Sequence, residues 1–153
     1  MANAIIIYSS RHHGNTAKLV ESIADEYEIP VINADIVTDA DLTPYDLIGF
    51  ASGIDFGKFY PSVQQFLEQN LPDNKTIFLM YTCAKVQNRF TECMEQAAFT
   101  KNAKLLGTFG CKGYNTYGPL KLIGGMNKGH PNEADILAAQ QFFEKIIKKT
   151  DLY

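Results

Sequence analysis

The 153-residue chain lacks the features that mark several large classes of protein. Its 14 basic residues are outnumbered by 17 acidic ones, so it has no cationic excess with which to hold nucleic acid. Its longest apolar runs are far shorter than a membrane span requires. Cysteine is scarce, at Cys83, Cys93 and Cys111, and lacks the spacing of a metal site. These absences predict no nucleic-acid, membrane or metal partner, and they favour a reducing cytoplasm.

The sequence also lacks linkers, internal repeats and low-complexity segments. Its first residues, Met1-Ala2-Asn3, lead directly into an apolar run without the cationic start of a secretory signal, so none is expected. A hydrophobic content of 46% over 153 residues is enough for a substantial core. We therefore predict one soluble domain that spans residues 1–153.

Short apolar runs alternate with amphipathic stretches along the chain. The runs predict five strands, over residues 4–8, 30–36, 46–52, 76–82 and 103–109. The stretches between them predict helices, over residues 15–28, 61–71, 88–102 and 132–149. Such alternation is typical of a parallel sheet with right-handed crossovers and helices on both faces. The predicted fold class is α/β, a doubly wound five-stranded parallel sheet.

The loop after the first strand has the composition of an anion site. Residues 9–16 are Ser-Ser-Arg-His-His-Gly-Asn-Thr, between a buried strand and the start of a helix. The unpaired N–H groups and the macrodipole of a helix N-terminus attract anions. We interpret the loop as a phosphate cradle, although it could be only a polar turn that caps the helix. Arg11 would either contact the phosphate or stay solvated, and one of His12 and His13 is a candidate donor.

Ligands of doubly wound sheets bind at the carboxyl edge, where the strand order reverses. Three predicted loops leave that edge close to the reversal, at residues 9–15, 53–60 and 82–87. We therefore expect these three loops to form a ligand site together.

The segment after the last strand is unusual in length and composition. Residues 111–130, here called the glycine-rich segment, are too many for a plain connector. Seven of the eleven glycines lie between Gly107 and Gly129, which indicates a loop folded tightly against something. Tyr114 and Tyr117 in this segment would cover a ligand, close a substrate pocket or pack within the segment itself.

The first loop, the strand alternation and the loop after the third strand together resemble the flavodoxin family over the whole chain. That family has an aromatic residue at the end of the first strand, then a Ser/Thr-rich turn, and then Gly-Asn-Thr at the start of a helix. Here these are Tyr8, Ser9-Ser10 and Gly14-Asn15-Thr16. The departure is one extra residue, with Arg11-His12-His13 where hydroxyl residues are usual. The resemblance implies a flavodoxin-like sheet with strand order 2-1-3-4-5.

The resemblance also implies noncovalent FMN, with its phosphate in the first loop and its ring between the loops after the third and fourth strands. The residues implied at the phosphate end are Ser9, Ser10, Arg11, His13, Gly14, Asn15 and Thr16. The residues implied around the ring are Ser52, Gly53, Phe56, Gly57, Lys58, Phe59, Thr82, Cys83 and Ala84. Phe56, Phe59 and Tyr60 are candidates to stack on the ring, but each could instead be a core residue or pack against the next helix.

The loop after the third strand also bears on the redox properties that the resemblance implies. Its Gly57–Lys58 peptide matches a turn that, in the family, can flip to hydrogen-bond the flavin N5 in the reduced state. Glycine suits such a turn because it needs positive φ. Lys58 would place a positive charge beside the flavin, and the chain is only mildly acidic. We therefore expect a less negative potential than that of a strongly acidic flavodoxin.

Three functions remain open on the sequence. The preferred one is a one-electron carrier between a reductase and an acceptor enzyme, which the short chain and the lack of a nicotinamide fingerprint favour. The second is a small FMN-dependent NAD(P)H/quinone-type oxidoreductase, with a substrate pocket formed by residues 111–130. The third is a flavodoxin-like binding domain without cofactor, which the altered first loop allows. For the carrier, the expected partners are redox proteins.

Overall fold

The computed structural model describes residues 2–151, which form a parallel sheet between two layers of helices. The strands are β1 (Ala4–Ser9), β2 (Val31–Asn33), β3 (Leu47–Asp55), β4 (Lys58–Phe59), β5 (Thr76–Cys83) and β6 (Lys104–Lys112). The helices are α1 (Asn15–Tyr27), α2 (Pro61–Asn70), α3 (Glu92–Phe99) and α4 (Glu133–Asp151). The parallel strands lie in the order β2-β1-β3-β5-β6, and β4 pairs only with the end of β3. Counted without β4, this is the order 2-1-3-4-5, so the predicted fold class is confirmed.

The helices cover both faces of the sheet because successive residues of a strand point to opposite sides. Ile5 and Ile7 of β1 belong to an apolar cluster that includes residues of α2 and α3. Ala4 and Ile6 belong instead to a cluster with residues of α1 and α4. Residues 47–53 of β3 are all buried, as expected of a central strand covered on both sides.

The second strand is shorter than the predicted 30–36, because β2 ends at Asn33. The side-chain oxygen of Asn33 accepts the N–H of Asp35 at 2.9 Å. Its carbonyl oxygen accepts the N–H groups of Ile36 and Val37, each at 3.0 Å. These local bonds turn the chain out of the sheet. The turn brings Asp35 beside the loop that follows β1.

The third strand extends beyond the predicted 46–52 and enters a hairpin. It continues to Asp55, which pairs with Lys58 of β4 in antiparallel register. The two residues between them, Phe56 and Gly57, have φ angles of 52° and 77°. Positive φ at both central residues is the pattern of a type I′ turn. The predicted loop 53–60 is therefore largely a short hairpin.

The predicted helix over 88–102 is divided and shorter. A 3-10 turn spans Asn88–Thr91, and α3 follows it to Phe99. The Thr91 hydroxyl lies 3.2 Å from the Asn88 carbonyl oxygen and 2.7 Å from the Glu95 carboxylate. Such local bonds of a threonine side chain compete with a regular helix, which explains the irregular start.

The last strand and the last helix are both longer than predicted. The strand β6 reaches Lys112 instead of residue 109, and α4 reaches Asp151 instead of residue 149. Glycine is tolerated inside β6 because an aromatic ring takes the space beside it: a Cβ on Gly110 would overlap the Tyr81 ring. No helix among residues 2–151 is both long enough and apolar enough to cross a membrane.

Candidate functional site

A cavity of about 250 Å³ lies at the carboxyl edge of the sheet, where four segments of the chain converge. The loop before α1 and the first turn of α1 contribute His12, Asn15 and Thr16, and the end of β5 contributes Thr82, Cys83 and Ala84. The hairpin region contributes Gly53, Ile54, Asp55, Phe56 and Tyr60. The glycine-rich segment contributes Gly113, Tyr114, Asn115 and Tyr117. The strand order reverses between β1 and β3 at this edge, which is the usual ligand position in this class of sheet.

Among residues 2–151, the main-chain donors at residues 11–14 of the predicted phosphate loop, at the start of α1, have no partner. His13 and Gly14 have left-handed backbones, with φ angles of 55° and 66°. Within the described residues, the N–H groups of residues 11–14 donate to no other group. The Ser10 hydroxyl oxygen accepts the N–H of Ala17 at 3.0 Å, which leaves the hydroxyl proton free to donate. Unpaired N–H groups at a helix start form a place for an anion.

Arg11 does not line the cavity, because its guanidinium pairs with Asp35 at 2.9 Å. It also lies over the Tyr60 ring, with 4.6 Å between the guanidinium carbon and the ring centre. Asp35 accepts a further hydrogen bond from the Ser9 hydroxyl at 2.5 Å. The hydrogen bond from Arg11, and that from Ser9, lower the pKa of Asp35 to about 2. Arg11 is thus neither free in solvent nor directed at the cavity: it anchors the loop to the turn after β2.

Asn15 has a buried polar atom with no hydrogen-bond partner among residues 2–151. The residue is only 6% exposed, and its side-chain nitrogen donates to the Tyr114 carbonyl oxygen at 2.8 Å. Its Oδ1 has no hydrogen-bond partner in the described part of the chain. A buried acceptor without a donor costs about 1–3 kcal/mol. Because Asn15 lines the cavity, a ligand with a hydroxyl or N–H group could supply the donor.

Thr16 and Thr82 connect the start of α1 to the end of β5. Both are buried, and their hydroxyl oxygens are 2.8 Å apart. Cys83, the next cavity residue, is also buried, and burial raises the pKa of its thiol to about 11. The thiol is therefore neutral near pH 7 and forms part of the wall instead of acting as a nucleophile.

The hairpin turn places Phe56 at the cavity. Its side chain lines the cavity although the residue is 90% exposed, while Lys58 is exposed and does not line it. The central peptide of the turn joins Phe56 to Gly57, because Asp55 and Lys58 already pair as strand residues. The central peptide of this turn is therefore Phe56–Gly57, one position before the Gly57–Lys58 peptide named from the resemblance.

Phe59 and Tyr60 lie in different surroundings. Phe59 is 1% exposed in the core, with its ring centre 6.2 Å from that of Tyr81, and it does not line the cavity. The prediction of Phe59 as a ring contact is therefore corrected: pairing with Ile54 in the hairpin directs it into the layer beneath α2 and α3. Tyr60 is buried but lines the cavity, and burial raises its pKa to about 12.

Ser52 and Gly53 support the hairpin. The Ser52 hydroxyl oxygen accepts the N–H of Tyr60 at 2.9 Å and the hydroxyl donates to the Gly53 carbonyl at 2.6 Å. A Cβ on Gly53 would overlap the Tyr60 hydroxyl, so a side chain there would displace Tyr60. Ser52 thus stabilises the hairpin region without lining the cavity, whereas Gly53 lines it.

The glycine-rich segment closes the fourth side of the cavity. The His13 ring packs on the Tyr114 ring with 4.3 Å between centres, and His13 Nε2 lies 2.9 Å from the Thr116 hydroxyl. The Tyr114 hydroxyl donates to the Gly124 carbonyl oxygen at 3.1 Å. The Asn127 side chain donates to the Ala84 carbonyl oxygen at 2.7 Å. Tyr114 therefore packs within its own segment, which is one of the roles considered from the sequence, and it also lines the cavity.

Of the sixteen residues implied by the resemblance, seven line the cavity: Asn15, Thr16, Gly53, Phe56, Thr82, Cys83 and Ala84. The other nine lie around it or behind it: Ser9, Ser10, Arg11, His13, Gly14, Ser52, Gly57, Lys58 and Phe59. His12, one of the two candidate donors named from the sequence, also lines the cavity, and cavity residues not named from the sequence include Ile54, Asp55, Gly113 and Asn115. The sequence signal that could have identified Ile54 and Asp55 is the continuation of the third strand beyond residue 52. For Gly113 and Asn115 the only such signal is the local density of glycine.

The fold and the position of the cavity define the class of protein: a doubly wound α/β domain with its ligand cavity at the carboxyl edge. A family model described as Flavodoxin domain matches residues 5–120. The chain therefore belongs to the flavodoxin family, and the resemblance noted in the sequence is confirmed.

The chain is also similar to individual proteins. An uncharacterized protein of Methanocaldococcus jannaschii is 43% identical over 147 residues, which cover 95% of this chain and 98% of that protein. The structure of a Fusobacterium nucleatum flavodoxin bound to flavin mononucleotide superposes with a TM-score of 0.68 at 11% identity, covering 97% of this chain and 99% of that one. A flavodoxin, WrbA-like protein from Agrobacterium tumefaciens superposes with a TM-score of 0.54 at 15% identity, covering 68% and 76% of the two chains. At identities of 11% and 15%, these two similarities show that the fold is shared and nothing more.

Proposed function

We propose that this protein binds FMN noncovalently and carries single electrons between redox proteins. The proposal rests on one observation: unpaired main-chain donors suited to an anion, a buried acceptor without a partner among the described residues, and a cavity adjoin one another. These are the N–H groups of residues 11–14, Oδ1 of Asn15 and the space beside the hairpin turn. FMN offers matching parts, namely a phosphate, a hydroxyl-bearing ribityl chain and a flat ring. The shared fold with a flavodoxin described as bound to flavin mononucleotide supports the proposal.

The phosphate would be held by the N–H groups of residues 11–14 and by the Ser10 and Thr16 hydroxyls. Main-chain N–H groups and the α1 macrodipole suffice for a dianion without a lysine. His13 is already engaged with the glycine-rich segment. Of the two histidines His12 is therefore the better placed donor, since it lines the cavity.

The ribityl chain would satisfy Asn15. Its Oδ1 needs a donor, which a ribityl hydroxyl has and a phosphate dianion lacks. The ring would be held between Phe56 of the hairpin turn and the end of β5, with Tyr117 on the side of the glycine-rich segment. The bound flavin would supply the one-electron chemistry, and the protein residues would orient it and control its access to water.

Exposure of the cavity mouth favours a carrier. Phe56 and Tyr117, which line the mouth, are 90% and 72% exposed. A redox group held between them would lie close to a docked partner. A carrier needs such proximity and needs no substrate pocket of its own.

Titration of FMN and of riboflavin into the purified protein, followed by flavin absorbance and fluorescence, tests the cofactor. FMN is expected to bind more tightly than riboflavin, because the loop amides contact only the phosphate. Asn15→Asp adds a negative charge at the start of α1, next to the N–H groups proposed to hold the phosphate, so FMN affinity should fall about tenfold or more, and riboflavin affinity less. Asn74→Asp adds the same charge at the opposite edge of the sheet and is expected to leave both affinities within about twofold.

Anaerobic photoreduction tests the carrier. Two well-separated one-electron steps are expected in the absorbance spectrum. A protein that stays colourless with added FMN would contradict the proposal and favour the binding domain without cofactor.

The second candidate is a small FMN-dependent oxidoreductase that reduces quinones with NAD(P)H. It is favoured by the fourth wall of the cavity, formed by Gly113, Tyr114, Asn115 and Tyr117, which could shape a substrate pocket. The fold shared with a WrbA-like protein is compatible with it. Rapid turnover of benzoquinone with NADPH and FMN, without an added reductase, would establish this candidate over the carrier.

A further inference from the structure

Two exposed apolar side chains line the cavity, and two more lie in the short turn that comes next in the chain. Phe56 and Tyr117 line the cavity, and Leu122 and Ile123 follow Tyr117 in the 3-10 turn Gly118–Ile123. Leu122 is 89% exposed and Ile123 is 77% exposed. We call these four residues the apolar rim. So many exposed large side chains at one place are unusual on a protein that stays alone in solution.

Positive charge surrounds the apolar rim. Residues 50–60, 82–91 and 112–131 hold six of the basic residues of the chain and a single carboxylate, Asp55. The six are Lys58, Lys85, Arg89, Lys112, Lys121 and Lys128, and all are exposed. The rest of the chain holds eight basic and sixteen acidic residues. A chain of net charge −3 therefore has a basic face on the side of the cavity.

Contacts between the three segments bring these cations to the apolar rim. The Arg89 guanidinium lies against the hairpin turn, 3.3 Å from where a Cβ on Gly57 would be. The bond from Asn127 to the carbonyl of Ala84 joins the glycine-rich segment to the loop that holds Lys85. Lys121 lies within the same short turn as Leu122. Arg89, Lys85 and Lys121 thus lie next to the segments that hold the apolar rim.

We propose that the apolar rim and its basic surround dock an electron-transfer protein whose own redox centre lies beneath an acidic surface. This inference rests on the proposed FMN-carrier function and adds the sign and the place of partner recognition. Charge complementarity would steer the partner, and the apolar rim would provide the short-range contact. A protein is favoured over a membrane because the surface surrounds the cavity mouth, and because the net negative charge of the whole chain opposes binding to anionic lipid.

Cytochrome c and succinylated cytochrome c are a matched pair of probes, since they share a haem and a fold but differ in the sign of surface charge. The reduced, FMN-loaded protein is mixed anaerobically with each ferric cytochrome in a stopped-flow instrument. Each event removes one electron from the flavin and converts one ferric haem to ferrous haem. The net charge of −3 alone predicts that basic native cytochrome c reacts faster. The basic face predicts that the succinylated form reacts faster at low salt and slows as salt is added.

Charge-reversal variants locate the effect. Lys85→Glu with Lys121→Glu is expected to slow the reaction with succinylated cytochrome c by roughly tenfold at low salt. Lys145→Glu, an exposed lysine of α4 far from the cavity, makes half that charge change and is expected to stay within about twofold. Leu122→Ser with Ile123→Ser should lower the rate without changing its dependence on salt, because apolar contact acts only at short range.

The outcomes separate this inference from the cofactor. A protein that binds FMN and is reducible, but reacts faster with native cytochrome c or responds equally to Lys145→Glu, overturns the docking surface alone. A protein that binds no FMN overturns both proposals. Sedimentation with vesicles of equal parts phosphatidylcholine and phosphatidylserine, lost in the Leu122→Ser and Ile123→Ser variant, would assign the surface to lipid and also overturn the inference.

Discussion

Phe56 combines a strained backbone with an exposed ring. Its φ of 52° lies in the left-handed region, which costs a residue other than glycine about 1–2 kcal/mol. With 90% exposure the ring recovers little of this cost by burial. Asparagine or glycine is the usual occupant of this turn position. An aromatic residue here is better explained by a ligand at the cavity than by stability.

Phe56→Asn is therefore expected to raise the free energy of unfolding of the ligand-free protein by about 1 kcal/mol, since asparagine tolerates the left-handed backbone. The same change should weaken FMN binding, because the ring lines the cavity. Urea unfolding and FMN titration measure the two effects. Phe99→Asn is the control, as Phe99 is 82% exposed at the end of α3 and has no positive φ. Equal shifts in stability for both variants would contradict the argument.

Asp35 gives the first loop a predictable dependence on pH. An unfolded aspartate has a pKa of about 3.9, and the hydrogen bond from Arg11 lowers the pKa of Asp35 in the folded protein to about 2. A lowered carboxyl pKa stabilises the fold fully above the unfolded value, and the contribution disappears as pH falls through about 4 to about 2.

We expect Asp35→Asn to lower the free energy of unfolding by up to about 1 kcal/mol at pH 7, a modest value because the pair is partly exposed. The difference from the unmodified protein should shrink below about pH 4. Urea unfolding over a pH series measures it, with the exposed Asp73→Asn as control. A difference that does not change with pH would refute the role of the Arg11–Asp35 pair.

At the scale of elements, the sequence predicts what depends on neighbours along the chain. The buried run at Ile5-Ile6-Ile7 and the start of α1 at Asn15 follow from local pattern, and both are where expected. The early end of β2 depends on the Asn33 side chain, which accepts a hydrogen bond from the nearby main-chain N–H of Asp35. The wall around Tyr114 depends on a bond from Asn15, 99 residues earlier. The pattern of the first loop identifies Asn15 without this contact. Gly113 and Asn115 reach the cavity only through such contacts, which no local pattern contains, so the sequence does not identify them.

The packing of β5 on β3 makes Gly49 a sensitive position. A Cβ there would overlap the Phe78 ring on the neighbouring strand. Gly49→Ala is expected to lower the free energy of unfolding by about 1–3 kcal/mol, because the core has no room for the added methyl. In Gly49→Ala with Phe78→Leu, the loss should be smaller than the sum of the two single losses. Urea unfolding of the three variants measures this coupling, and strict additivity would show that the ring and the glycine do not share the space.

At the scale of the whole molecule, the uneven distribution of charge would affect the potential of a bound flavin. Lys58 is exposed in the hairpin beside the cavity. A unit charge about 6 Å from the flavin, at an effective dielectric of about 20, changes an energy by roughly 2–3 kcal/mol. Bulk solvent at this exposed site reduces that value.

Lys58→Glu should therefore lower the midpoint potential of bound FMN by roughly 50–100 mV. Spectroelectrochemical titration measures the potential, and Lys145→Glu is the control because it makes the same charge change on α4. An unchanged midpoint in Lys58→Glu would remove Lys58 from the account of the potential.

The four walls of the cavity come from parts of the chain that are far apart in sequence, from His12 to Tyr117. A small molecule bound among them would act as a non-covalent cross-link, and at a hundred times its dissociation constant it would stabilise the fold by about 2.7 kcal/mol. If FMN is that molecule, chains made while FMN is scarce would open more often and be cleaved by proteases sooner. The abundance of the protein in a cell would then follow the supply of its vitamin-derived ligand, without a dedicated regulator.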